Sequence, residues 1–162
     1  LRLTPINWHL TAEEARYIIG NCGAAAFIGD IESTGSHRAA PDDLVRFATG
    51  GPIDGFDDYR TVVDTQSGDP VAAQLGSMML YTSGTTGHPK GVAKQPGNVP
   101  ADFINVNEVQ PGDPHLVTGP LYHAAPLTFG LQFHLLWGGS LVLMRSWDAA
   151  DALRLILSLI HI

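Results

Sequence analysis

The sequence has a single cysteine, Cys22, so no disulfide can form within the chain. That composition is compatible with a reducing cytoplasm, where the protein is expected to reside. Charged residues make up only 15%, and no Lys/Arg cluster interrupts a formal net charge of −7. The electrostatic footprint of a nucleic-acid binder is therefore missing. No run approaches the ~20 apolar residues that span a bilayer, so no transmembrane segment is expected. The most apolar stretch, residues 131–144, is broken by Gly138-Gly139 and contains His134. Metal-ligand spacing is also wanting. His115, His123 and His134 have no helical-turn spacing and no accompanying cysteine or carboxylate cluster, which argues against a zinc site.

Glycine and proline, by contrast, are plentiful: 18 and 11 of 162 residues, within a chain that is 44% apolar. One ordinary domain with tight connections fits this better than a helical bundle, and the expected class is α/β. The chain opens at Leu1 without a methionine and stops inside a helical pattern. The expectation is a piece cut from something longer, with residues 157–162 non-native, since that run resembles translated sequencing-adapter read-through.

Residues 11–22 read as a helix. Thr11 and Glu14 make a capping box, and Ala15, Ile18, Ile19 and Cys22 form one apolar stripe. The stripe makes Cys22 a core residue and not a nucleophile. Gly23 is a natural stop. Residues 24–28 are a candidate buried strand. Residues 41–48 suggest a short helix with proline in its first turn, and 60–63 a strand. Asp42-Asp43 and Asp57-Asp58 read as solvated loop charges. Strands are expected at 77–81, 91–94, 115–118 and 140–144. Residues 127–137 have helical length and are apolar on nearly all sides, which predicts a buried helix ended by Gly138-Gly139. Asp148 caps a last helix with Ala152, Leu155, Ile156, Leu159 and Ile160 on one face. Trp137 and Trp147 read as packing residues near element ends. The alternation implies a mostly parallel sheet with flanking helices.

The informative run is 81–92: Tyr81-Thr82-Ser83-Gly84-Thr85-Thr86-Gly87-His88-Pro89-Lys90-Gly91-Val92. A triphosphate needs many donors converging on oxygens that share negative charge. The hydroxyls of Thr82, Ser83, Thr85 and Thr86 supply some. Gly84 and Gly87 let the chain curl so that backbone amides supply more. Lys90 adds a full positive charge, and Gly91 permits close packing of the exit strand. This is not a Walker A loop, which ends Gly-Lys-[Ser/Thr]; here proline precedes the lysine and no hydroxyl residue follows it. The nucleotide is therefore expected to be held differently from the P-loop NTPases.

Residues 82–91 resemble the phosphate-binding signature of the adenylate-forming superfamily: acyl-CoA synthetases, aryl-CoA ligases, luciferases and peptide-synthetase adenylation domains. Residues 3–10 with the Glu13-Glu14 helix resemble the family's stretch upstream of that loop. Residues 119–127, Gly-Pro-Leu-Tyr-His-Ala-Ala-Pro-Leu, resemble its aromatic-histidine motif downstream. The resemblance implies that residues 1–162 are part of the large N-terminal domain, with the C-terminal lid domain absent. It also implies a two-step reaction using ATP, Mg²⁺ and CoA. A carboxylate attacks the α-phosphate to give an acyl-adenylate and pyrophosphate, then a thiol displaces AMP. It places Thr82, Ser83, Gly84, Thr85, Thr86, Gly87 and Lys90 at the nucleotide, and Thr82 among the Mg²⁺ ligands.

The same resemblance sets Tyr122 and His123 at the acyl substrate, with His123 catalytic beside Lys90. Amino-acid-activating members usually carry an aspartate at that motif, because a buried ammonium needs a partner. Leu121 to Ala125 offers no acid, which favours a hydrophobic carboxylic acid without an α-amino group. Phe129, Leu131, Phe133, Leu135 and Leu136 are read as core packing before acyl pocket. The leading expectation is an acid–CoA ligase whose isolated piece is inactive. A fatty-acyl-AMP ligase, a peptide-synthetase-type domain and a non-catalytic nucleotide-binding fragment stay open as alternatives.

Overall fold

The computed structural model describes residues 1–33, 35–69, 76–82, 87–94 and 110–159, and the chain divides into two compact units, 1–96 and 97–162. In the first unit, β1 (Arg2–Leu3) is followed by α1 (Ala12–Asn21), β2 (Ala26–Asp30), a 3₁₀ turn (Ser36–Ala39) and β3 (Val45–Thr49). Then come β4 (Asp57–Asp58), α2 (Tyr59–Asp64), β5 (Ser77–Thr82) and β6 (Lys90–Lys94). In the second unit, β7 (Pro114–Val117) leads to a π-helix (Pro126–Gln132), α3 (Phe133–Leu136), β8 (Ser140–Leu143) and α4 (Ala149–Leu159).

Three small sheets form, ordered β1-β5-β6, β2-β3-β4 and β7-β8. Among the described residues every pairing is parallel except β5 with β6. The class is α/β, as the alternation of elements implied. The antiparallel pair arises because only a short loop separates β5 from β6, too short for the crossover that parallel strands need.

Helix α1 forms where its capping box predicts. The Glu14 amide donates to Thr11 Oγ1 at 3.3 Å, and the Thr11 amide donates to Glu14 Oε2 at 2.9 Å. The Thr11 amide and hydroxyl, both donating to Glu14 Oε2, hold that carboxyl below its ordinary pKa. The stripe Ala15, Ile18 and Ile19 is buried, and Ala15 and Ile19 pack with Ala39 against Ile6, Phe27 and Leu44. Cys22 is only half-buried, at the helix C-cap. In the second unit the buried apolar residues include Leu116 and Val117 of β7, Leu127, Phe133 and Ala152.

Several expectations are corrected. Residues 41–48 are not a helix: Val45–Thr49 is a strand pairing in parallel with Ala26–Asp30. Residues 60–63 are not a strand but lie in α2, because Asp58 Oδ1 accepts from the Thr61 amide and hydroxyl, both at 2.7 Å, and so caps a helix. Asp58 is thus a cap, and Asp42 of the other acidic pair forms an ion pair with Arg46. The strand expected to be buried is β2, shifted to 26–30, and its Ile28 is 57% exposed. The apolar run 127–137 is only half-buried, with Phe129, Leu135 and Leu136 exposed. It begins as a π-helix, in which the Phe133 amide reaches back to Thr128 O. Trp147 is exposed as well. Helix α4 is capped by Asp148, whose Oδ1 accepts from the Asp151 amide at 2.8 Å. On its expected apolar face Ala152 is buried, Leu155 and Ile156 are half-buried, and Leu159 is exposed.

Candidate active site

Strand β5 delivers Tyr81 and Thr82 into the Gly/Thr-rich loop, and β6 receives the chain at Lys90. The two strands are in antiparallel register, with Thr82 opposite Lys90, Tyr81 opposite Gly91 and Leu80 opposite Val92. The loop therefore closes a hairpin instead of opening a helix. Among the described residues its exit is the strand Lys90–Lys94 and not a helix N-terminus, unlike the Walker arrangement. A residue with a hydroxyl and one with a cation are thus paired where the strands part. Thr82 and Lys90 are both exposed, and no carboxylate among the described residues forms an ion pair with Lys90. Gly87 has φ of +95°, a left-handed conformation that its residue type allows. Ser83, Gly84, Thr85 and Thr86 lie outside the described residues.

Gly91 does more than allow a strand to pack. A Cβ there would stand 2.1 Å from Met79 Cε and 2.9 Å from Tyr81 Cζ. The Tyr81 ring thus lies over the glycine, and its hydroxyl donates to Asn21 Oδ1 of α1 at 2.5 Å. Burial pushes the Tyr81 phenol above its ordinary pKa, with Cys22 and Tyr17 adding to the shift. On the other side of the loop, the His88 ring stacks on Tyr17 with centroids 4.8 Å apart and planes 25° apart. The sequence reading missed Tyr17, Asn21 and His88. Their signal was present but weak: Tyr17 and Asn21 are one helical turn apart and off the apolar stripe.

Tyr122 and His123 belong to the second unit, in the connection between β7 and the π-helix. The His123 amide donates to Pro120 O at 3.0 Å and the Leu127 amide to His123 O at 3.2 Å, so backbone bonds on both sides fix the turn. Gly119 is required there, because a Cβ would meet Pro126 Cγ at 2.7 Å. The His123 ring is exposed, 4.7 Å from the half-buried Tyr122 ring between centroids. It is thus open to a hydrogen-bonding group from outside.

His115 and His134 are brought together although their spacing gave no hint of it. Their rings stack with centroids 3.9 Å apart. The buried His134 donates from Nδ1 to Gly130 O at 3.0 Å, the arrangement of a satisfied core histidine. Burial pushes His115 below its ordinary pKa, and the charge of His134 pushes it the same way. Thr128 Oγ1 is buried without a hydrogen-bond partner among the described residues.

Residues 1–161 match the model of the AMP-binding enzyme family. The chain is 29% identical to the indoleacetate–CoA ligase of Aromatoleum aromaticum, over 90% of this chain and 31% of that protein. It is 29% identical to the long-chain-fatty-acid–CoA ligase FadD13 of Mycobacterium tuberculosis, over 94% of this chain and 31% of that one. Its fold superposes on ATP-bound MatB from Rhodopseudomonas palustris with a TM-score of 0.77, at 22% identity, covering 96% of this chain and 32% of that one. The chain spans about a third of the length of these relatives.

Proposed function

Because this chain belongs to the AMP-binding enzyme family, we propose that it contributes the phosphate-binding part of an enzyme that activates a hydrophobic carboxylic acid with ATP and transfers it to CoA. The observation that carries the reading is the β5–β6 hairpin, with Lys90 paired opposite Thr82 where the two strands part. A carboxylate oxygen attacks the α-phosphorus and the bond to pyrophosphate breaks. The CoA sulfur then attacks the acyl carbon, and AMP leaves.

In the first step charge builds on the departing phosphate oxygens. Lys90 and the loop amides offset it, acting more strongly on the transition state than on bound ATP. Magnesium, when bound, neutralises phosphate charge, and the exposed Thr82 hydroxyl fits as one of its oxygen ligands. His123 orients the substrate carboxylate by hydrogen bonding from its exposed ring. An apolar acid is favoured because Leu121 to Ala125 holds no carboxylate to pair an ammonium. The relatives named for indoleacetate and long-chain fatty acids activate acids of that kind.

The 162-residue chain by itself is expected not to turn over, since relatives of this family are about three times its length. The test has two arms. The coding region is read through the codon for Ile162, and its full product is assayed for acid-dependent ATP–pyrophosphate exchange. The isolated chain is assayed alongside. Exchange by the full product with apolar acids supports the reading. Exchange with amino acids only, or none, defeats it, and turnover by the isolated chain defeats the claim of inactivity.

A further inference from the structure

Both ends of the phosphate loop meet the same helix. Tyr81 precedes Thr82, and its hydroxyl donates to Asn21 Oδ1 at 2.5 Å. His88 follows Gly87, and its ring stacks on Tyr17. Tyr17 and Asn21 are four residues apart on α1, so their side chains lie on one face, one turn apart. That face adjoins the stripe of Ala15, Ile18 and Ile19, which is buried in the core of the first unit. The helix is thus anchored on one side and grips the hairpin on the other. Gly91 makes the grip possible by leaving room for the Tyr81 ring above β6.

We propose that Tyr17 and Asn21 form a two-point clamp that holds Tyr81 and His88, and thereby steadies both ends of the loop, and Lys90 with them, before nucleotide arrives. The proposal rests on the nucleotide reading of the hairpin. Its physical basis is preorganisation. A cation held in place loses less freedom on meeting the phosphates than one on a loose loop, so binding is tighter. Tyr17 and Asn21 touch no substrate in this account. They act through His88 and Tyr81, as positioning residues.

The test uses the 162-residue chain and proton NMR. In the wild type the Tyr17 ring current moves the His88 ring resonances away from those of a free histidine. Tyr17→Ala and, from the loop side, His88→Ala each remove the stack, the second without touching the helix. Tyr17→Phe keeps a stacking ring and rescues. Affinity for magnesium-ATP is expected to weaken about threefold to tenfold in Tyr17→Ala, His88→Ala and Asn21→Ala, the span of one lost aromatic or hydrogen-bonded contact. Amide exchange at Ile18 and Ile19 stays at its wild-type rate, which a general loosening of α1 would not allow. Unchanged affinity in variants that have lost the stack overturns the clamp, as does a His88 resonance that Tyr17→Ala leaves in place. Failure of the wild-type chain to bind magnesium-ATP at millimolar concentration defeats the nucleotide reading instead.

Discussion

Replacing Gly91 by alanine is the sharpest perturbation of the hairpin. The new methyl would lie 2.1 Å from Met79 Cε and 2.9 Å from Tyr81 Cζ. Met79 offers the free end of a flexible chain and swings aside at small cost. The Tyr81 ring is rigid, and it must tilt or push the strands apart. Overpacking of this kind costs about 1–3 kcal/mol. Loss of the bond to Asn21 adds about 0.5 kcal/mol, the low end for a hydrogen bond, because Asn21 is exposed. With a urea m-value of about 1–3 kcal/mol/M, a loss near 2 kcal/mol lowers the unfolding midpoint by roughly 1 M. Urea unfolding followed by circular dichroism reads that shift. A second readout is the phenol of Tyr81, which burial pushes above its ordinary pKa. Displacing the ring exposes it, so its titration in ultraviolet absorbance moves down toward pH 10. A Gly91→Ala chain with the wild-type midpoint and the wild-type tyrosine titration would refute the packing argument.

Other consequences follow from the second unit and from α2. Because His115 has a lowered pKa when folded, the unfolded chain binds more protons below pH ~6.5, and stability falls as pH drops through that value. Thermal melts from pH 7.5 to 5.5 should show the decline, and His115→Gln should flatten it. Gly119→Ala sets a methyl against the rigid Pro126 ring, 2.7 Å away, and should cost about 1–3 kcal/mol in the same urea assay. Asp58, whose carboxyl the Thr61 side chain and amide hold below its usual range, caps α2 most strongly when ionised. Asp58→Ala should therefore reduce helical circular dichroism at pH 7. In the wild type the cap's contribution should fade as pH falls below ~3.8.

What could be read from the sequence was local. Thr11 and Glu14 announced α1, Asp148 announced α4, and the strands expected at 77–81 and 91–94 bracket the loop, each one residue longer on the loop side. The errors came where two local signals competed. Pro41 suggested a helix start, yet Val45 and Phe47 supplied the β-branched and aromatic character that made a strand beside β2. Asp58 and Thr61 have the spacing of a cap, and the helix they start covers the residues 60–63 read as a strand. Contacts made at long separation were not legible at all. No periodicity links Asn21 to Tyr81, Tyr17 to His88, or His115 to His134, because each pair depends on how elements pack. Likewise, the apolar run 127–137 predicted burial but could not show that Phe129, Leu135 and Leu136 face outward. For the candidate site, the sequence singled out residues 82–91 and Tyr122-His123 by resemblance, while the opposition of Thr82 and Lys90 emerged only from strand register.

The central claim is that the β5–β6 hairpin binds nucleotide phosphates through Lys90. It is tested most directly by titrating magnesium-ATP into the ¹⁵N-labelled chain, with adenosine as the control ligand. The account predicts saturable shifts of the Thr82, Gly87 and Lys90 amides with ATP, none with adenosine, and loss of the response in Lys90→Ala. Equal responses in wild type and Lys90→Ala, or shifts with adenosine alone, would contradict it.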